Sequence, residues 1–349
     1  MGKKVNLFQM VDKKIAVIGA GSWGTAVAVL LAEKGFSVFL WARDDKLAGS
    51  AQSLRHNPCY LKSVSFPENI EVSSDVAYVL KGAEVVALVV PSHGMRDVVR
   101  RLKNYLDISS IIVSLTKGIE IDTHARMSEV IASELSNVFY EKIAVISGPN
   151  HAEEVSHKIP STTVVSAHNK EVALKLQDIF MTPYFRIYTN PDIIGVELGG
   201  ATKNIIALAT GMSDGLGYGD NTRAALMTRG LAEMTHLGLD LGAQPLTFAG
   251  LSGMGDLIAT CTSRYSRNRD TGEKIAKGMT LEEISAETRM VAEGVMTNKA
   301  VYELAKKRGV EMPITTAVYQ VLYEGKHPRD CVSELMQRGA KDELRAFGY

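Results

Sequence analysis

K-I-A-V-I-G-A-G-S-W-G-T-A, Lys14 to Ala26, is the stretch from which the fold is read. Ile15–Ile18 is a short apolar run, Gly19-Ala20-Gly21-Ser22-Trp23-Gly24 a glycine turn, and Ala26–Ala32 an Ala/Leu/Val run. No charge falls between Ile15 and Ala32, so a membrane span has to be weighed. The three glycines, with Ser22 and Thr25, divide that length instead into a strand, a turn and a helix. In this context Gly19 permits the tight turn, Gly21 lets the backbone approach a pyrophosphate, and Gly24 lets the helix pack on the strand. Amides at the helix start then face the anion. The competing reading is a glycine turn that binds nothing.

Working outward, apolar runs recur at Val38–Trp41, Val85–Val90, Ile111–Leu115 and Ala144–Ile146, with amphipathic segments between several of them. That alternation predicts crossover helices and a parallel sheet. After Thr163–Ser166 and Phe185–Tyr188 the strand-like runs stop, and segments of helical period begin near Asp192. The expected fold is α/β: an N-terminal Rossmann-like parallel-sheet domain over residues 1–194, then an all-helical domain over 195–349.

Composition narrows the function. The 349 residues carry 39 Lys+Arg against 39 Asp+Glu, so no basic tail or half points to nucleic acid or a membrane surface. Cys59, Cys261 and Cys331 are widely separated and form no C-x-x-C, which supports neither a disulfide framework nor a metal site and fits a reducing cytoplasm. The opening M-G-K-K-V-N-L-F-Q-M-V-D lacks the long apolar core of a signal peptide.

Ligands of such sheets sit beyond the carboxyl ends of the strands, so the residues after each run matter most. Past the second strand stand Arg43 and Asp44. Arg43 can stack on adenine and pair with a 2′-phosphate, while Asp44 could hold a free 2′-hydroxyl, leaving NAD(H) and NADP(H) both open. Pro91-Ser92-His93, Thr116-Lys117-Gly118 and Ser147-Gly148-Pro149-Asn150 end three other runs. Lys117 is placed to hold an anion, and His93 reads more simply as a surface histidine.

In the helical half, Leu198, Ala201, Ile205 and Leu208 form an apolar stripe, and Lys203 lies roughly 140° around from Leu198 at about 100° per residue. Gly199, Ala207 and Thr210 share its face, so Lys203 is either a lysine in a dry cleft that exchanges protons or an exposed lysine on an amphipathic helix. Farther on, S-R-Y-S-R-N-R, Ser263 to Arg269, offers three guanidinium forks that can grip a phosphate, or a solvated basic loop. One aromatic, Tyr265, in a neutral chain does not make a nucleic-acid surface.

Taken together, G-A-G-S-W-G-T-A, S-L-T-K-G, S-G-P-N, G-V-E-L-G-G-A-T-K-N, G-L-S-G-M-G-D-L and S-R-N-R, in this order, resemble the bacterial-type NAD(P)-dependent glycerol-3-phosphate dehydrogenases over about residues 13–345. The resemblance implies reversible reduction of dihydroxyacetone phosphate with NAD(H) or NADP(H), and Lys203 as the catalytic proton donor and acceptor. It implies substrate contacts at Lys117, Gly148, Asn150, Asp256, Ser266, Arg267 and Asn268. Cofactor contacts are implied at Ser22, Trp23, Arg43, Lys117, Ala152, Arg267, Val291 and Glu293, beside Gly19, Gly21 and Gly24 of the turn. It further implies a cytoplasmic homodimer without membrane insertion whose product feeds glycerophospholipid synthesis. Asn150 stands where many relatives have Ser or Thr, and Thr202 where they often have Leu. Two other readings stay open on residues alone: a two-domain reductase of keto acids, and a nucleotide-sensing protein without chemistry.

Overall fold

Strands that are covered on both faces need uninterrupted apolar side chains, and Val85–Leu88, Ile111–Ser114 and Ile143–Ser147 are buried at every position. The computed structural model describes residues 13–287, 292–340 and 342–343. Its first half runs β1 (Lys14–Ile18), α1 (Ser22–Glu33), β2 (Ser37–Trp41), α2 (Asp45–Leu54), β3 (Ile70–Ser73), α3 (Val76–Leu80), β4 (Val85–Leu88), α4 (Met95–Leu102), β5 (Ile111–Ser114), α5 (Met127–Glu134), β6 (Ile143–Ser147), α6 (Ala152–Ser156), β7 (Ser161–Ala167), α7 (Lys170–Phe180) and β8 (Phe185–Thr189). The described residues beyond are helical: α8 (Ile193–Gly215), α9 (Asp220–Asp240), α10 (Pro245–Phe248), α11 (Asp256–Thr262), α12 (Arg267–Ala276), α13 (Leu281–Glu287), α14 (Glu293–Arg308), α15 (Pro313–Tyr323) and α16 (Pro328–Met336), with a π-helical turn at Leu251–Gly255.

The strand order is β3-β2-β1-β4-β5-β6-β7-β8. β1 pairs in parallel with both β2 and β4, so the chain changes direction across the sheet at β1, and the crevice above that point is where such folds hold dinucleotides. The sheet is not parallel throughout as the sequence suggests: β7 runs antiparallel to β6. The connection between these two strands carries only the short helix α6, not a long crossover helix of the kind that usually returns a parallel neighbour. β3 was not expected, because I-E-V-S has just two apolar residues; Ile70 and Val72 point inward while Glu71 is exposed at the sheet edge.

α8 departs most from the sequence picture. It is not amphipathic: nearly every residue from Ile193 to Ser213 is buried, because α9, α11, α12 and α14 pack around it. It is the one described helix long and apolar enough to cross a membrane, and 94% of its apolar window is covered by the protein itself. The small residues near Lys203 also do not leave open room. A Cβ on Gly199 would lie 2.5 Å from the Ser252 carbonyl oxygen, so the π-helical turn occupies that space. At its start α8 is tied to the sheet half through Glu197, which accepts from Arg126 Nη1 at 2.5 Å and from Ser128 N and Oγ at 2.8 and 2.6 Å.

Candidate active site

The glycine turn opens into a cleft of about 1020 Å³ between the sheet's carboxyl edge and the helical half. Gly19 has φ +115°, and a Cβ there would meet the Val89 carbonyl oxygen at 2.4 Å. A Cβ on Gly24 would come within 1.8 Å of the Gly19 oxygen, so helix and turn touch backbone to backbone. Around Gly21, by contrast, nothing lies within 4 Å of the added carbon. Gly21 also precedes α1, whose first turn has no side-chain cap and no acidic residue, leaving its amides turned to the cleft. This is the arrangement a pyrophosphate requires, and the residues present fit a dinucleotide.

Ser22 and Trp23 line the same end, with Trp23 resting edge-on against Phe185 at 6.3 Å between ring centres. Arg43 stands exposed on the rim. Asp44 is engaged elsewhere: its Oδ1 accepts from Lys46 N at 2.8 Å and Leu47 N at 3.2 Å, capping α2. One residue escaped sequence reasoning because no motif announces it. Asn57 donates to Ala20 O and to Thr25 Oγ1, both at 2.9 Å, and accepts from Cys59 N and Tyr60 N at 3.0 Å, binding the loop Pro58–Tyr60 to the glycine turn.

At the other end the structure brings together three residues from three separate motifs. Lys117 Nζ donates to Gly148 O at 2.8 Å, Asn150 Oδ1 at 2.8 Å and Asp256 Oδ2 at 2.7 Å, so its three protons all have acceptors. Lys203 Nζ donates to Asp256 Oδ1 at 2.8 Å and Thr260 Oγ1 at 2.5 Å. Burial, reinforced by the Lys203 ammonium, pushes the Lys117 pKa down to about 8 against the pull of Asp256. Burial alone would raise Asp256, but the two ammonium groups outweigh it and hold the carboxyl below its usual range. Thr260 was also missed, although D-L-I-A-T puts Asp256 and Thr260 four apart on one helical face. Gly148 and Asp256 lie behind the cleft wall and set the lysines, whereas Lys117, Asn150 and Lys203 reach its surface.

The basic loop resolves into three different arginines. Arg269 bonds Asp214 through Nε and Nη2, both at 2.7 Å, and Arg264 lies over Tyr265. Arg267 lines the cleft, at the start of α12 beside its cap Ser266. Asn268 is buried in the joint between helices, donating to Asn204 Oδ1 at 2.9 Å and accepting from Gly294 N at 2.8 Å, with one edge on the cleft. Ala152 opens α6 at the cleft wall, and Val291 lies outside the described residues. Glu293 accepts from Ser92 Oγ at 2.5 Å and Ser92 N at 3.2 Å, clasping the loop after β4 to the start of α14; burial raises its pKa. His93 also borders the cleft. Among the described residues no cluster of His, Cys, Asp and Glu is arranged to hold a metal ion.

The chain matches the family models described as NAD-dependent glycerol-3-phosphate dehydrogenase N-terminus, over residues 14–173, and C-terminus, over 192–333. It is 54% identical to the glycerol-3-phosphate dehydrogenase (NAD(P)+) of Moorella thermoacetica, covering 96% of this chain and 98% of that protein. To the protein of the same name from Geobacillus thermodenitrificans it is 51% identical, over 95% and 97% of the two chains. Among solved structures, glycerol-3-phosphate dehydrogenase from Coxiella burnetii is similar with a TM-score of 0.89 and 39% identity, over 93% of this chain and 99% of that one.

Proposed function

This chain belongs to the NAD-dependent glycerol-3-phosphate dehydrogenase family, and from that membership we propose how its cleft divides the work. The reaction is reversible reduction of dihydroxyacetone phosphate to sn-glycerol 3-phosphate with NADH or NADPH. The observation that carries the residue roles is the carboxylate of Asp256 shared by Lys117 and Lys203 at the floor of a dinucleotide cleft.

Gly19, Gly21, Gly24, Ser22 and Trp23 hold the dinucleotide at its pyrophosphate, and Arg43 its adenosine end; Ala152, Arg267 and Glu293, which line the same cleft, complete the contact. When bound, the reduced nicotinamide supplies a hydride to the substrate's carbonyl carbon. Lys203 gives a proton to the carbonyl oxygen as negative charge develops there. Two of its protons are engaged by Asp256 and Thr260, which leaves the third direction for substrate. Lys117, locked by three acceptors, acts as a fixed positive charge beside the same oxygen. Ser266, Arg267 and Asn268 hold the phosphate and Asn150 completes the substrate side, while Gly148 and Asp256, behind the cleft wall, act on the substrate through the lysines that they position. Binding energy from the remote phosphate orients a ketone that is itself a weak handle.

We place the two domains at 1–194 and 195–349, with α8 beginning at their junction. A cytoplasmic homodimer that takes a small phosphorylated triose, binds no nucleic acid and feeds glycerophospholipid synthesis is the setting that family membership and charge balance support. The test monitors NADH and NADPH absorbance with dihydroxyacetone phosphate and with unphosphorylated keto acids at equal concentration. Oxidation with the phosphorylated ketone alone is expected; preference for a keto acid overturns the assignment.

A further inference from the structure

Tyr265 is an aromatic ring in a basic loop, and neither proton transfer nor phosphate capture requires it. The Arg264 guanidinium lies 4.9 Å from its ring centre, and Arg264 Nη2 donates to its hydroxyl at 2.9 Å. The imidazole of His151, from the loop after β6, reaches it at 6.3 Å between ring centres with a tilt of 52°, a separation at which rings are in productive contact. His151 Nε2 lies 3.5 Å from the carbonyl oxygen of Ala259, the residue before Thr260, whose hydroxyl holds Lys203. Both rings line the cleft. A loop of the sheet half and a loop of the helical half therefore meet ring to ring beside the two lysines.

The charge around His151 speaks against a phosphate-binding role. Burial, then the ammonium groups of Lys203 and Lys117, lower its pKa, outweighing the Ala259 carbonyl and the Asp256 carboxylate. The shift favours the neutral ring, which presents a flat, half-buried surface to the cleft.

We propose that the His151–Tyr265 pair is the wall that limits the length of the phosphorylated ketone accepted beside Lys117 and Lys203; this rests on those lysines marking the substrate position. An added hydroxymethylene must displace a packed ring or forgo its place in the cleft, and a single carbon against such a wall discriminates by about tenfold or more.

The experiment compares dihydroxyacetone phosphate with erythrulose 1-phosphate, which keeps the spacing from phosphate to ketone and adds one hydroxymethylene. His151→Ala is expected to shrink the kcat/KM preference for the shorter ketone by about tenfold, with NADPH affinity by fluorescence unchanged. His151→Phe restores a ring and with it the preference; Tyr265→Ala, from the opposite loop, shrinks the preference as His151→Ala does. A preference that His151→Ala and Tyr265→Ala leave unaltered, or that His151→Phe does not restore, overturns the wall. Wild-type protein inert toward both ketones overturns the lysine assignment beneath it, and is told apart because no variant is then needed to see it.

Discussion

Lys117 and Lys203 are held by opposite oxygens of one carboxylate: Lys117 Nζ donates to Asp256 Oδ2 at 2.7 Å and Lys203 Nζ to Asp256 Oδ1 at 2.8 Å. Two cations and one anion leave the floor of the cleft with a net positive charge. That residue of charge is what a phosphorylated ketone and a developing alkoxide both seek, in a chain whose formal net charge is zero.

Asp256→Asn removes the carboxylate that bonds both ammonium groups and leaves two lysines facing one another. Breaking a buried ionic group in this way is expected to destabilise the fold by about 3 kcal/mol, read as a lower denaturant midpoint, together with a loss of kcat/KM. An unchanged midpoint contradicts the ion triad as a structural unit.

The depressed pKa of Lys117, about 8 against 10.5, has two consequences of opposite sign. Between these values the unfolded chain keeps a proton the folded chain has lost, so this group makes stability rise with pH over that window. Substrate affinity runs the other way, because the positive charge disappears as pH rises through about 8. The kcat/KM for dihydroxyacetone phosphate is expected to fall there, and Lys117→Arg, which stays charged, to move the fall out of the window. A wild-type profile flat across it contradicts the role given to Lys117.

Gly21 and Gly24 separate binding from folding. Gly21→Ala adds a carbon to open space, so stability is expected to change by no more than about 0.5 kcal/mol while NAD(P)H affinity drops, because that space is the pyrophosphate's approach. Gly24→Ala would drive a carbon to 1.8 Å from the Gly19 oxygen and is expected to lower the melting temperature as well. Fluorescence titration and thermal unfolding of the two variants distinguish the cases; equal effects on both readouts contradict this division.

Strands buried on both faces were legible as continuous apolar runs, and the glycine turn between β1 and α1 was legible by its order. β3 was not, since an edge strand alternates and I-E-V-S is too short to show a period. Helical period located Lys203 relative to the apolar stripe of α8, yet it could not say that other helices cover the remaining faces, which only packing decides. The same holds for the arginines: composition marks a basic loop, while Asp214, distant in sequence, selects Arg269 for structure and leaves Arg267 to the cleft. Asp256 could be placed by resemblance, but its two partners come from the loop after β5 and from α8, a pairing no local pattern encodes.

Proton transfer by Lys203 is the step on which the proposed chemistry turns. Lys203→Ala, assayed by NADPH oxidation with saturating dihydroxyacetone phosphate, is expected to lose about a thousandfold in kcat while NADPH binding by fluorescence stays within about twofold. A kcat close to that of the wild type would contradict the account.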